Sequence, residues 1–141
     1  MENYSSRLKY ISLACLLTLT FGYTLAAGLG GLRSAQALSG STVYVVTTTG
    51  NAGPGSLRQA IRDANANPGA DEIAFDMPGC APTSPCIISL SSLLPVISDP
   101  LTITGPGMSS LIVDANNNFR GFNIADVPTT IADLTVQNGR T

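Results

Sequence analysis

From residue 42 onward, the hydrophobic residues of the chain occur in short runs that are rich in β-branched side chains and often alternate with polar residues. Prolines and clusters of Gly, Asn, Ser and Asp separate the runs. This pattern is typical of short β-strands joined by turns. The predicted strands cover residues 42–48, 87–90, 94–97, 101–104, 111–113, 122–124 and 131–136, with a further strand beginning at 73–75.

One segment departs from this pattern and has the periodicity of an amphipathic helix. Its apolar residues fall at i, i+3, i+4 and i+7, on one helix face; they are Leu57, Ala60, Ile61 and Ala64. Ser56 is a candidate N-cap, and Gln59 stands three positions later, where it would complete a capping box. The Asn-Pro-Gly sequence at 67–69 would end the helix. We therefore predict a helix of about three turns with one narrow buried face.

The strand-like runs also repeat. Leu101 and Ile103 recur as Phe122 and Ile124, and Leu111 and Val113 recur at nearly the same spacing as Leu134 and Val136. A period of about 22 with two short strands per period favours an all-β fold, a parallel β-helix whose successive coils stack. An ordinary β-sandwich with irregular strands is the alternative. In a stack, Asn116 and Asn138 could form a ladder of side-chain amides.

The first part of the chain, residues 1–37, has a different character. A basic start with Arg7 and Lys9 precedes an uncharged stretch from 10 to 32, and an Ala-Gln-Ala sequence follows at 35–37. This order predicts a signal peptide, residues 1–37, with cleavage after Ala37. An uncleaved anchor is the alternative, since the uncharged stretch is long enough to span a bilayer. The rest divides into 38–80, with the first strand, the helix and a second strand, and 81–141, with the first coils.

The low charge of the chain excludes some classes of function. Charged residues make up 11% of the sequence, the net charge is −2, and there is no His. Nucleic-acid binding needs a basic face, so we expect no nucleic-acid partner. After cleavage only Cys80 and Cys86 would remain, and an exported chain is expected to oxidise such a close pair. Zinc is the competing interpretation, which the missing His and second Cys pair disfavour.

Much of the predicted mature chain resembles a known family. The resemblance covers roughly residues 42–141 and lies in six segments, 47–49, 53–61, 64–71, 73–75, 90–95 and 99–105. They are similar to the N-terminal "CSLREA" segment of exported bacterial right-handed parallel β-helix proteins with a pectin lyase-like fold, including adhesin-like and polymorphic outer-membrane-protein-like ones. Two positions depart from the motif: Gly55 stands where its name has Cys, and Gln59 stands where Glu is common.

The resemblance implies a right-handed parallel β-helix whose helix is an N-terminal cap. Leu57 and Ile61 would lie on the core, with Arg58 and Arg62 in water. Because no second cap is visible, we expect an incomplete solenoid, the N-terminal part of a longer protein or a truncated product. Its open end would be prone to edge-to-edge self-association.

These features predict a non-catalytic structural and interaction module of a secreted or cell-surface protein, which binds a surface glycan or protein and meets the membrane only through its signal segment. The alternative is the head of a polysaccharide lyase or glycoside hydrolase whose active coils lie beyond residue 141. We predict no catalytic residue, cofactor or metal. Asp114, Asp126 and Asp133 are not a full period apart, so they form no stacked acidic pair. Asp114 with Asn116, Asn117 and Asn118 could ligate calcium, but we interpret them as a solvated turn or amide ladder.

Overall fold

A computed structural model describes residues 40–140. The predicted signal peptide therefore lies outside the described residues. The elements, in chain order, are β1 (Val43–Val46), α1 (Leu57–Ala66), β2 (Asp71–Phe75), β3 (Cys86–Ser89), β4 (Leu101–Thr104), β5 (Leu111–Asp114), β6 (Thr129–Ala132) and β7 (Thr135–Gln137). Within residues 40–140, no helix is long and apolar enough to cross a bilayer.

The strands form two sheets, and every neighbouring pair is parallel. One sheet has the order β1-β2-β4-β6 and the other the order β3-β5-β7. From β2 onward, consecutive strands alternate between the two sheets, so each connection crosses from one sheet to the other. The shared parallel direction places the ends of all strands of one sheet at the same sheet edge.

The predicted all-β parallel β-helix is wrong. Residues 40–140 contain two small parallel sheets, of four and three strands, together with one short helix. This is an α/β-like arrangement, and the described part of the chain has no closed or solenoid sheet. The regular repeat that the sequence predicts is not present between these strands. The connections here are unequal, since the segment between β2 and β3 is much longer than the one between β6 and β7.

The predicted period is also wrong for the first sheet. Leu101 pairs with Thr129, which lies further along the chain than the expected match Phe122. In the second sheet Val113 pairs with Val136, as its spacing indicated. Apolar alternation finds residues that face the same way, but it does not fix which strands become neighbours. The sequence therefore identified most strands and assigned only part of their register.

Two of the predicted strands, 94–97 and 122–124, meet only through a single parallel bridge between Ile97 and Ile124. A third, 131–136, is divided into β6 and β7. Asp133 lies at the division with a φ of 56°, in the left-handed region that ends a strand. The turn redirects the chain from the first sheet to the second.

The core lies on the inner faces of the two sheets and under the helix. Ile73 and Ile103 occupy one position of the register on β2 and β4, and both are fully buried. The same position on β6 is Ile131, which is only partly buried. In the second sheet, Val113 is buried, whereas its partner Val136 is 44% exposed. Burial therefore decreases from the central strands toward β6 and β7.

The helix is where the sequence predicts it, and Ser56 is its N-cap. The Ser56 Oγ accepts a hydrogen bond from the Gln59 backbone N–H at 3.2 Å. The capping box is only half formed, because the Gln59 side chain donates to Asp63 Oδ1 at 2.7 Å. The Ser56 backbone N–H donates instead to the carbonyl of Gly53. The positive φ of Gly53 and Gly55 shapes this turn, and glycine adopts such angles without strain.

Candidate binding site

The apolar stripe of α1 is buried as predicted. Its members Leu57, Ala60, Ile61 and Ala64 all belong to the hydrophobic core, packed near β1 and β2. Arg62 is exposed, which also agrees with the prediction. The prediction for Arg58 is wrong, since this side chain is only 6% exposed. The helix therefore buries a cation beside its apolar face.

The guanidinium of Arg58 is buried because it is surrounded by hydrogen-bond acceptors. Its Nε donates to the Asn51 carbonyl at 2.8 Å, and its Nη2 donates to Asn51 Oδ1 at 3.0 Å and to the Ser92 carbonyl at 2.8 Å. Its Nη1 donates to the Leu93 carbonyl. Burial, and then the charge of Arg62, lower the pKa of Arg58. Every nitrogen of the fork is used to hold α1, the 51 turn and the 92–93 segment together, which is a structural role.

The predicted disulfide between Cys80 and Cys86 is present, with their Cα atoms 5.1 Å apart. Inside the loop, Ala81 and Ser84 exchange two backbone hydrogen bonds, of 3.1 and 2.9 Å. The residues at the tip are exposed. Because Cys86 is the first residue of β3, the bridge attaches this small loop directly to the end of the second sheet.

Asn116 and Asn138, the predicted amide ladder, make separate hydrogen bonds. The Asn116 Nδ2 donates to the Leu90 carbonyl at 2.7 Å, and the Asn138 Nδ2 donates to Asp114 Oδ1 at 3.0 Å. Both residues have a positive φ, 54° and 53°, which Asn tolerates better than most residues. Their resemblance to each other therefore reflects equivalent turns after β5 and β7, and not a direct contact between the two amides.

Asp114 accepts hydrogen bonds from both of these turns, and we refer to Asp114, Asn116, Gln137 and Asn138 as the turn cluster. It accepts from the Asn116 backbone N–H at 2.8 Å, from Asn138, and from Gln137 Nε2 at 3.0 Å. These hydrogen bonds, with that of the Asn116 N–H first, lower the pKa of the Asp114 carboxyl group. Both carboxylate oxygens thus face N–H donors, an arrangement that fits the predicted turn better than the alternative calcium site. Within residues 40–140, no cluster of three or more Cys, Asp or Glu side chains could hold a metal.

Tyr44 lines a small cavity of about 70 Å³ between β1 and α1, together with Gln59 and Asp63. Burial, and then the negative charges of Asp71 and Asp63, raise the pKa of the Tyr44 phenol. The phenol therefore stays protonated at neutral pH, which makes it a poor general base. The volume has room for water molecules but not for a sugar or a peptide.

A larger surface cavity, of about 340 Å³, lies beside the segment that follows β7. Its lining residues are Arg120, Gly121, Phe122, Gly139 and Arg140. Two hydrogen bonds hold its two walls together: the Asn117 N–H donates to the Asn138 carbonyl, and the Arg140 N–H donates to the Phe119 carbonyl, both at 2.9 Å. The arrangement brings together two arginines, Arg120 and Arg140, that are well separated in the sequence.

Glycine at position 121 permits the close approach of the cavity wall to β7. A Cβ atom at this position would overlap Cγ1 of Val136, far inside van der Waals contact. The cavity is thus lined by two glycines, the half-buried ring of Phe122 and two exposed cationic side chains. Such a lining offers charge and an aromatic surface, but none of its side chains is a nucleophile.

Sequence reasoning missed this cavity. Arg120 alone is typical of a solvated surface charge, and Arg140 carried no signal by itself. The available signal was the pair Asn116 and Asn138, because two equivalent turns imply that the segments after them also run side by side. The three aspartates considered for catalysis lie apart along the fold: Asp114 ends β5, Asp126 precedes β6, and Asp133 lies between β6 and β7.

No protein-family model, curated protein or solved structure matches this chain. The resemblance to CSLREA segments therefore stays a prediction.

Proposed function

We propose that the chain is a non-catalytic structural and interaction module of a secreted or cell-surface protein. The observation that carries this proposal is the cavity lined by Arg120, Phe122 and Arg140. Guanidinium groups and an aromatic ring are side chains that recognise partners through charge and surface contact. The cavity lining supplies neither a nucleophile nor a general base, and every nitrogen of the buried Arg58 guanidinium is engaged in hydrogen bonds to Asn51, Ser92 or Leu93.

The disulfide supports export. The structure has a Cys80–Cys86 bridge, and disulfides persist mainly in oxidising compartments such as the periplasm or the cell exterior. The predicted signal peptide leads to the same compartment. A small, stapled domain with an exposed charged cavity fits the role of a surface contact module.

Two measurements test this proposal. In cells that produce the full-length chain, surface proteolysis and fractionation should place it outside the cytoplasm, with Cys80 and Cys86 oxidised. The purified chain should retain glycans or proteins of a neighbouring surface without changing them. A rise in ultraviolet absorbance from unsaturated uronates, or new reducing ends from polysaccharides, would instead assign it to the lyases or hydrolases.

A further inference from the structure

The outer edge of β7 has main-chain groups available for a further strand. Within residues 40–140, β7 pairs with β5 on one side only. The Gln137 carbonyl accepts from the Ala115 N–H at 3.0 Å and so faces β5. Since alternate residues of a parallel strand direct their amides to opposite sides, Val136 directs its N–H and C=O away from β5. Its side chain is 44% exposed.

Two residues that line the cationic cavity, Gly139 and Arg140, follow β7 closely in the sequence. Arg140 follows Val136 by four positions, and its N–H hydrogen bond to Phe119 holds it beside the segment that carries Arg120. Both arginines are exposed and line this one cavity. A cavity lining with two cations and no acidic residue favours an anionic ligand, and guanidinium pairs well with carboxylate in a bidentate geometry.

From these two observations we infer that the β7 edge and the cavity together bind an extended acidic segment of a partner protein. The segment adds a strand beside Val136 through main-chain hydrogen bonds, and its Asp or Glu side chains enter the cavity between Arg120 and Arg140. This inference rests on the proposed function, because it names the partner of that interaction module. A glycan would match the charges but not the main-chain groups of the edge.

The strand geometry specifies the ligand sequence. We expect the added strand to run parallel to β7, as β5 does, so its acidic residues should follow the residue beside Val136, just as Arg140 follows Val136 by four positions. In an extended chain, which advances by about 3.3 Å per residue, this corresponds to a spacing of roughly three to five positions. That residue itself should be apolar or β-branched, because it contacts an exposed valine.

The test is selection from a displayed library of random decapeptides on the full-length chain, followed by fluorescence polarisation with the enriched peptides. We expect enrichment of an apolar residue followed, three to five positions later, by Asp or Glu. Replacement of the acidic residues by Asn or Gln should weaken binding by about tenfold, and Arg120→Ala with Arg140→Ala should do the same. The control Arg62→Ala, an exposed arginine of α1, should leave binding unchanged.

A charge-swap experiment keeps the inference falsifiable if the alanine variants are unstable. Arg120→Glu with Arg140→Glu should lose the acidic peptides and bind their Lys-substituted forms, with melting temperatures recorded for each variant. The inference is overturned if no peptide is enriched, if enriched peptides show no acidic bias, or if oligohexuronates bind through Arg120 and Arg140 while peptides do not. Binding of surface glycans or proteins at a site other than the β7 edge and the cavity would still support the proposed function. Polysaccharide cleavage would refute the proposed function but would not change the result of the peptide experiment.

Discussion

Arg58 and Asn51 are joined twice: the Arg58 Nε donates to the Asn51 main-chain carbonyl at 2.8 Å, and Nη2 donates to its side-chain Oδ1 at 3.0 Å. The same Oδ1 accepts from the Ser91 N–H at 3.0 Å. Asn51 thus connects the helix, through Arg58, to a segment that is distant along the chain. This contact, in addition to the apolar stripe, fixes the helix relative to the turn at Asn51 and the segment 91–93.

Replacement of Arg58 by Ala should therefore destabilise the protein by about 2–4 kcal/mol, because the partly buried carbonyls of Asn51, Ser92 and Leu93 would lose charged donors. Arg58→Lys should recover only part of the loss, since an ammonium group lacks the planar fork. Urea unfolding measures both changes. Arg62→Ala, at an exposed position on the same helix, should change stability by less than about 0.5 kcal/mol. Equal losses of stability in Arg58→Ala and Arg62→Ala would show that the Arg58 hydrogen bonds do not stabilise the fold.

Only some features of α1 could be predicted from the sequence. The spacing of Leu57, Ile61 and Ala64 correctly identified the buried face, because a helix places such residues together whatever surrounds it. The burial of Arg58 could not be predicted in this way. It depends on the carbonyls of Ser92 and Leu93, which are distant in the sequence and whose position is set by tertiary contacts.

The buried face of α1 gives a second prediction. Ile61 is fully buried in the core, so Ile61→Asp would place an unpaired carboxylate there and should lower stability by roughly 3–5 kcal/mol. Arg62→Asp is the matched control, with the same new residue at the adjacent exposed position. Thermal unfolding followed by circular dichroism compares them. A melting temperature of Ile61→Asp equal to that of Arg62→Asp would show that the helix does not seal the core.

The sheets and the cavity depended on information that local patterns do not contain. Alternation placed Leu101 and Ile103 on an inner face, yet their partners are Thr129 and Ile131 rather than Phe122 and Ile124. The unequal connections shift the register, and no local signal reports that shift. The cavity between Arg120 and Arg140 depends on the same kind of long-range pairing, because the pairing of β5 with β7 brings the segments after these strands together.

The disulfide gives a third prediction. Cys80→Ser with Cys86→Ser should lower stability by about 2 kcal/mol, the chain-entropy contribution of a bridge that closes a short loop. The loss should appear as faster hydrogen exchange at the Ala81 and Ser84 amides, which bond to each other inside the loop. Wild-type protein treated with a reductant should behave like the double variant. Unchanged exchange at these amides would mean that the turn forms without the bridge.

The pH dependence of stability provides the last prediction, and it concerns Asp114. Hydrogen bonds from Asn116, Asn138 and Gln137 lower its pKa in the folded state below the ordinary value of about 3.9. The ionised form is thus favoured by folding, so the stabilisation is fully present above that ordinary pKa and is lost as the pH falls through the lower, folded-state pKa. Asp114→Asn cannot titrate. Its melting temperature should therefore fall less than that of the wild type between about pH 5 and pH 2, while Asp126→Asn, at an exposed position, should follow the wild type. Parallel curves for all three proteins would show that the turn cluster does not favour the charged carboxylate.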